Sequence, residues 1–561
     1  MIDFNYLPRT DKILISLLES RCCTSKQIKH TFEYASIQSA YNILNELKKK
    51  GYLYNVKAYR GNSGYAFFLT NKGSEYALSC VNKPAYILDN GKLIPQFNTQ
   101  GENKYNPSFL SHAISVSDFY YSLLKSCGYG NFNWYLEKDT ILNSEDQKII
   151  VRGDASFNIN DNEKYILEQD MGTMTKAQTQ RKFNHYAQIL SEQDSYPTIL
   201  FSINLDVNPS RSEYVYGNIQ SIKSLEKEVT YLKKRLEEVE YAQSIISDFE
   251  HLSREDIMRK RDEIKELLSK HSKLIKPSEL KRCRVKLEQI DSYLNSASIQ
   301  KPLSDIYNLY KAKHQELNNL KKEAVNIAVE KKTKLRLQNI KDILLTSDDR
   351  KSYDNLYSLM LAGLNIYVNS QDNVIELVTR QVILKKKNID LITQYLKNTL
   401  VQKYQRNTNI KVQKSSNRKI MFGPQAITSN RSISVSKSGN VAANHHILIE
   451  DVSFKNIGAY VRTVSMAQNM KEYNDYPIAR AVIIVDDEDQ AKEISREVEN
   501  SYNNAANFAF IDKDELMFLT QNPIQKDVSL KLEGLEQSFY QIIKGQKIEY
   551  KSLSEIDFIK I

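Results

Sequence analysis

The chain has 561 residues, a formal net charge of +10 at pH 7, 26% charged and 41% hydrophobic residues. That length allows about four domains, each able to bury a core. No run approaches the roughly 18 to 20 apolar residues of a membrane span, so no membrane insertion is expected. The positive balance favours a polyanionic partner. Five cysteines stand at 22, 23, 80, 127 and 283 without a CxxC pair, which indicates neither a zinc site nor a disulfide framework. With acids at Asp3 and Asp11 and no signal-peptide profile, the chain reads as cytoplasmic and reduced.

The first elements predict a winged helix-turn-helix over residues 1–80. Thr10 is placed to cap a helix with Ile13, Leu14, Leu17 and Leu18 on one face. A short helix from Ser25 to His30 follows. A third runs from Ser36 to Lys50, with Ile37, Ala40, Leu44 and Leu47 on its inner stripe and Gly51 ending it. Strands at Tyr52–Tyr59 and Tyr65–Leu69 flank a turn with Arg60 at its tip. The third helix would present Gln38, Ser39, Tyr41, Asn42 and Asn45 outward, with Lys48 and Lys49 near its end. Amide side chains suit adenine edges and lysines suit phosphates, so these residues and Arg60 are the candidate DNA contacts.

Between 107 and 220 the pattern turns to strands. Gly153-Asp-Ala-Ser-Phe and Tyr165-Ile-Leu-Glu-Gln-Asp read as two strands around a polar turn. Glu168 and Asp170 are two residues apart and face one side; Asp154 starts the neighbouring strand. A helix from Thr175 to Leu190 would carry Lys182 over the same spot, with Tyr186 one turn later. Three carboxylates and a lysine in one place suit Mg²⁺ or Mn²⁺ and phosphodiester hydrolysis. Asp154, Glu168, Asp170 and Lys182 are therefore the candidate catalytic residues, with the three acids as metal ligands.

From Ile222 the apolar residues Leu225, Val229, Leu232, Leu236 and Val239 follow coiled-coil spacing. Residues 221–346 read as an arm of three long helices, broken at Pro277 and Pro302. Its seam suits either an antiparallel hairpin or a homodimer. Residues 347–561 open with a basic segment. Arg380 to Lys419 holds eleven Lys and Arg, among them Lys385, Lys386 and Lys387, against the single acid Asp390. Tyr395 and Tyr404 are interleaved, as nucleic-acid stacking would need. Beyond it, His445-His-Ile-Leu-Ile-Glu, a helix with Arg462, Tyr476-Pro477 and the strand from Ala479 repeat the order around Glu168, Lys182 and Tyr196-Pro197. This predicts a second, degenerate copy of the first core, with Ser436 near the place of Asp154.

Two chemistries have no signature. The eight histidines include no pair separated by one residue, and there is no Gly-x-x-x-x-Gly-Lys-Ser/Thr loop. The metal-bound histidines usual in relaxases and an NTP-driven motor are therefore not indicated.

Asp154, Glu168 and Lys182 resemble the PD-(D/E)XK nuclease core, with Gly153 where proline is frequent, Asp170 in the usual lysine position and the lysine displaced onto the helix; the resemblance makes Glu137 the upstream accessory acid. The series from the winged helix through Leu110-Ser-His-Ala, Gly-Asp-Ala, Leu-Glu-Gln-Asp-Met-Gly-Thr and Arg-Lys-Phe-Asn-His-Tyr resembles the replication-relaxation family of plasmid and conjugative-element proteins. His112 matches a histidine recurrent there and reads as a buried packing residue. The resemblance implies a multidomain α+β and α/β protein: winged helix-turn-helix, restriction-endonuclease-like core, coiled-coil arm and second nuclease-like α/β core. It implies a partner in double-stranded plasmid DNA at an origin of transfer or replication, alongside other conjugation or replication proteins. The activity expected is metal-dependent nicking; the alternatives are an architectural factor that recruits a separate relaxase, or a transcriptional regulator.

Overall fold

The computed structural model describes residues 4–57, 64–81, 86–89, 92–95, 107–136, 141–143, 150–159, 163–193, 195–205, 220–249, 253–270, 277–296, 303–345, 356–403, 408–414, 420–422, 425–427, 431–437, 444–472, 479–501, 508–521, 535 and 538–549. The chain divides into two compact units, Met1–Asp206 with Lys332–Ile561, and Val207–Lys331. The architecture is mixed α and β, with three open sheets of three, five and seven strands.

The N-terminal elements are α1 (Arg9–Ser20), β1 (Cys23–Thr24), α2 (Ser25–Phe32), α3 (Ile37–Lys49), β2 (Leu53–Lys57) and β3 (Tyr65–Leu69), with strand order β1-β3-β2. Local chemistry sets the helix starts. Thr24 and Ser36 each accept from the backbone N–H three residues on, and Gln27 and Ser39 reach back to close capping boxes. Gly51 has φ +78°, the left-handed turn that ends α3. Ile13, Leu14, Leu17, Leu18, Ala40, Leu44 and Leu47 form one core with Ile28, Leu53 and Phe67.

Two expectations are corrected here. Thr10 does not cap α1: the helix begins at Arg9 behind Pro8, with no side-chain cap, and the Thr10 hydroxyl turns to Asp11. Ile37, the first residue of α3 and expected on its inner stripe, is 49% exposed. A further helix, α4 (Asn71–Cys80), follows the hairpin, capped by Thr70. A β-carbon on Gly73 would meet the Tyr52 carbonyl oxygen at 2.1 Å, so only glycine permits that approach.

A short hairpin, β4 (Tyr86–Asp89) with β5 (Lys92–Pro95), precedes the long helix α5 (Pro107–Cys127). Then come β6 (Phe132–Leu136), the pair β7 (Ile141–Asn143) and β8 (Ile150–Arg152), β9 (Ala155–Ile159), β10 (Glu163–Asp170), α6 (Lys176–Ser191) and β11 (Thr198–Ile203). The five-stranded sheet runs β12-β11-β10-β9-β6, where β12 is Ile366–Ser370, from beyond residue 346. Strands β6, β9 and β10 are antiparallel neighbours; β10, β11 and β12 are parallel. Period-two alternation sorts β10 between two layers. Ile166 packs with Phe183, Tyr186 and Leu190 of α6, whereas Tyr165 and Leu167 pack with Val116, Phe119 and Tyr120 of α5.

In the second unit, α7 (Gln220–Phe249), α8 (Arg254–Lys270), α9 (Pro277–Ser296) and the start of α10 (Leu303–Leu345) make four helices, not three. Ser253 lies outside the helices, and its hydroxyl accepts the Asp256 N–H at 3.1 Å and starts α8. Ile222, Leu225 and Val229 of α7 pack on Leu317 of α10. Glu226 pairs with Lys321 and Glu228 with Lys313, so these helices are antiparallel. Of the two readings of this seam, the antiparallel one is seen at Ile222, Leu225 and Val229.

The remaining elements are α11 (Leu356–Leu361), α12 (Gln371–Glu376) after β12, and α13 (Val382–Lys403). They are followed by β13 (Thr408–Lys414), β14 (Ile420–Phe422), β15 (Gln425–Ile427), β16 (Arg431–Lys437), β17 (Asn444–Asp451), α14 (Ile457–Glu472), β18 (Ala479–Val485), α15 (Glu488–Ser501), β19 (Phe508–Asp512), α16 (Lys513–Gln521), β20 (Tyr540–Ile543) and β21 (Gln546–Glu549). The seven-stranded sheet runs β13-β16-β17-β18-β19-β20-β21. Its first five strands carry the same order of senses as the five-stranded sheet: two antiparallel pairings, then two parallel ones. Helix α14 follows β17 as α6 follows β10.

Candidate functional site

Strand β10 brings Glu168 and Asp170 to its α6 face. The capping box of Thr175 and Gln178 fixes where α6 begins, which sets Lys182 and Tyr186, one turn apart, over Glu168. Lys182 Nζ donates to Glu168 Oε2, and the Tyr186 hydroxyl donates to Oε1. Asp154 lies just before β9. Its N–H donates to the Leu167 carbonyl at 2.9 Å. Its Oδ2 accepts the Gln169 N–H at 2.6 Å, and His112 Nε2 of α5 stands 3.3 Å from Oδ1. A β-carbon on the preceding Gly153 would meet Ile166 Cγ2 at 2.7 Å, so glycine lets this turn lie close to β10.

Asp170 is engaged differently. Its Oδ1 accepts the Gly172 N–H at 2.8 Å, and its Oδ2 takes Arg336 Nε of α10 at 2.7 Å. Arg336 also donates to the Thr179 hydroxyl at 3.1 Å. The site is thus three ion pairs: Asp154 with His112, Glu168 with Lys182, Asp170 with Arg336. The acids Glu168 and Asp170 are buried, while His112 and Lys182 keep 33% and 26% of their side chains exposed. His112, expected to be a buried packing residue, is a half-exposed partner of Asp154.

The titration behaviour follows from this geometry. Burial pushes the Glu168 carboxyl up to about 7, against the opposing pull of Lys182. Burial also acts to raise Asp154, but the His112 hydrogen bond and charge, with Lys182 and the Gln169 N–H, outweigh it and hold Asp154 below the usual carboxylate value. Burial raises the Tyr186 phenol well above its ordinary value, and the carboxylate beside it adds to this. Tyr186 stands here as a buried donor to Glu168.

All six carboxylate oxygens of Asp154, Glu168 and Asp170 already have a protein donor. Among the described residues, no three His, Cys, Asp or Glu side chains are grouped to hold a metal ion. The expected accessory acid Glu137 lies outside the described residues.

Residues 14–199 match the family described as replication-relaxation. By that similarity, residues 14–199, about a third of the chain, form its replication-relaxation region. No curated protein and no solved structure matches the chain. The replication-relaxation region contains His112, Asp154, Glu168, Asp170, Lys182 and Tyr186; Arg336 comes from outside it. No local pattern marked Arg336, which is 166 residues from its partner.

The same region presents α3. Gln38 and Asn42 are exposed and joined by a 2.9 Å hydrogen bond from Gln38 Nε2 to Asn42 Oδ1. Ser39, Tyr41 and Asn45 are half-buried. Lys48 and Lys49 are exposed, Lys48 donating to Asn55 Oδ1 at 2.8 Å. Arg60 lies outside the described residues.

Beyond the replication-relaxation region, Lys387 is exposed, while the side chains of Lys385 and Lys386 lie outside the description. Tyr395, expected to stack on bases, is buried, its ring 5.7 Å from that of Phe539. It faces inward because Ile392 and Leu396 place that face of α13 in a core. Tyr404 and Tyr476-Pro477 lie outside the described residues, as does the Ser436 side chain. Glu450 on β17 and Arg462 on α14 form an ion pair with both side chains 1% exposed. Arg462 also donates to the carbonyls of Met360 and Leu364 and to Asn365 Oδ1. An acid on the strand and a cation on the following helix thus occur in both sheets.

Proposed function

We propose that the chain is a DNA-binding protein of plasmid replication or relaxation that grips DNA without cutting it. In this reading α1 to α3 and the β2–β3 hairpin act as a winged helix. Helix α3 enters the major groove; Gln38 and Asn42 read base edges, Ser39 and Asn45 support them, and Lys48, Lys49 and Arg60 meet phosphates. The family match and the net charge of +10 support a nucleic-acid partner. The observation that carries the non-cutting part is that every oxygen of the three site acids is taken by a protein donor.

The modules 1–80, 107–220, 221–346 and 347–561 remain the proposed working division. The last is read as a repeat of the first α/β core, supported by the shared strand order and by the Glu450–Arg462 pair standing where Glu168–Lys182 stands. Lys385, Lys386 and Lys387 are proposed as accessory phosphate contacts. A competing reading, metal-dependent nicking, is favoured by one observation: Asp154, Glu168 and Lys182 do converge from separate elements. It requires Lys182 to release Glu168.

Hydroxyl-radical footprinting on DNA of the element that carries the gene tests the proposal. The expected result is one protected site, the same in magnesium and in EDTA, lost in Asn42→Ala. Uniform protection along the DNA would contradict it.

A further inference from the structure

A polar network beneath α5 is separate from the three ion pairs. At its centre is Asp118, half-buried, with one amide on each oxygen. Gln27 Nε2 of α2 donates to Oδ1 at 2.7 Å, and Gln371 Nε2 of α12 donates to Oδ2 at 2.9 Å. Gln27 is also the capping-box residue of α2: its Oε1 accepts the Thr24 N–H at 2.6 Å. Its second amide proton goes to the Ile114 carbonyl at 3.2 Å. Gln371 gives its second proton to the Ser115 carbonyl at 3.3 Å and accepts from Asn204 Nδ2 at 2.6 Å. Asn204 donates its other amide proton to Ser115 Oγ at 2.9 Å, and its N–H donates to the Asp170 carbonyl. On the same helix, His112 stands three residues before Ser115 and holds Asp154.

We propose that Asp118 is a joint that makes α2, α5 and the β11–β12 edge of the sheet respond together, so that occupancy of the α2–α3 surface is felt at His112–Asp154. The ligand in this statement rests on the DNA-binding reading; the joint itself does not. The physical reason is the cost of drawing a carboxylate part-way out of water. It is tolerated only while its hydrogen bonds are in place. Apolar packing would let α2 shift gradually, whereas a carboxylate clamped from two sides makes a displacement of α2 weaken the hold on α12. Each of the three amide groups spends both protons inside the network, so none has a spare donor to compensate.

The test is amide hydrogen exchange on the full chain. Gln371→Leu removes one clamp from outside the replication-relaxation region. In free protein it is expected to speed exchange about tenfold or more at 366–376 and also at 25–33, leaving β18 and β19 unchanged. Faster exchange confined to 366–376 would overturn the joint. Asp118→Asn, close in shape and able to accept from only one amide, gives the same reading if Gln371→Leu does not fold. Restriction fragments of the element's DNA are then added. The wild type is expected to gain protection at 37–49 and at 152–156, and Gln371→Leu at 37–49 alone. Equal protection at 152–156 in both proteins would overturn the transmission. A wild type with no protection at 37–49 would sink the DNA-binding reading, while the free-protein comparison would still decide the joint.

Discussion

Replacing Lys182 by methionine probes the centre of the site. Glu168 is 1% exposed and its two oxygens are held by Lys182 and Tyr186. Removing one partner of a fully buried pair costs roughly 3 to 5 kcal/mol. Lys182 keeps 26% of its side chain in solvent, and screening on that side lowers the expected loss to about 2 kcal/mol at mildly alkaline pH. The direction with pH follows from Glu168. Its carboxyl sits at about 7 in the folded chain, above its ordinary 4.5. A carboxyl raised on folding makes stability fall as pH climbs between those two values, by up to about 1.4 kcal/mol per pH unit. Without Lys182 the carboxyl rises further and the declining window extends upward. Relative to wild type, the loss should be small near pH 6, where both proteins hold Glu168 protonated, and should grow between about pH 7 and 9. Urea unfolding across that range measures it, and adding Glu168→Gln should remove the pH dependence. An equal loss at both ends of the range would refute the reasoning.

Arg462→Met should be more damaging, by about 3 to 5 kcal/mol, because it leaves the fully buried Glu450 without its cation; Glu450→Leu in the same chain should recover much of that in thermal unfolding. Asn42→Ala should weaken binding to the specific site by about 1 to 3 kcal/mol and spare unrelated duplex, whereas Lys49→Ala should weaken both and lower the salt slope by about 1, read by anisotropy over a salt series. Leu225→Ala should destabilise the helical unit by about 2 to 3 kcal/mol without changing the mass in sedimentation, since Leu317 of the same chain fills that seam; an altered mass would mean that the seam also joins copies.

Local chemistry made the N-terminal elements legible. Thr24 and Ser36 cap helices through contacts three residues away, and Gly51 ends one through its own backbone angle. Ile37 and Thr10 were misread where the apolar pattern or a hydroxyl suggested a role that the neighbouring elements do not support. In the site, strand period two joined Glu168 to Asp170 and helical placement brought in Lys182. What each acid would bind was not legible. Arg336 arrives on a helix whose own pattern reads as a solvated arm, and His112 meets Asp154 only because α5 packs on the sheet. The clamp on Asp118 escaped for the same reason, since Gln27 and Gln371 are 91 and 253 residues from it. Antiparallel pairing in the helical unit was one of two open readings. The third dimension chose between them through Glu226–Lys321 and Glu228–Lys313.

The most direct test of the central claim is to mix the full chain with supercoiled DNA of the parent element in Mg²⁺, Mn²⁺ or EDTA, beside Asp154→Ala. The account predicts bound DNA that stays supercoiled under all three conditions and with both proteins. Open circles that require metal and disappear in Asp154→Ala would contradict it, and would mean that Lys182 yields Glu168 to a metal when DNA is present.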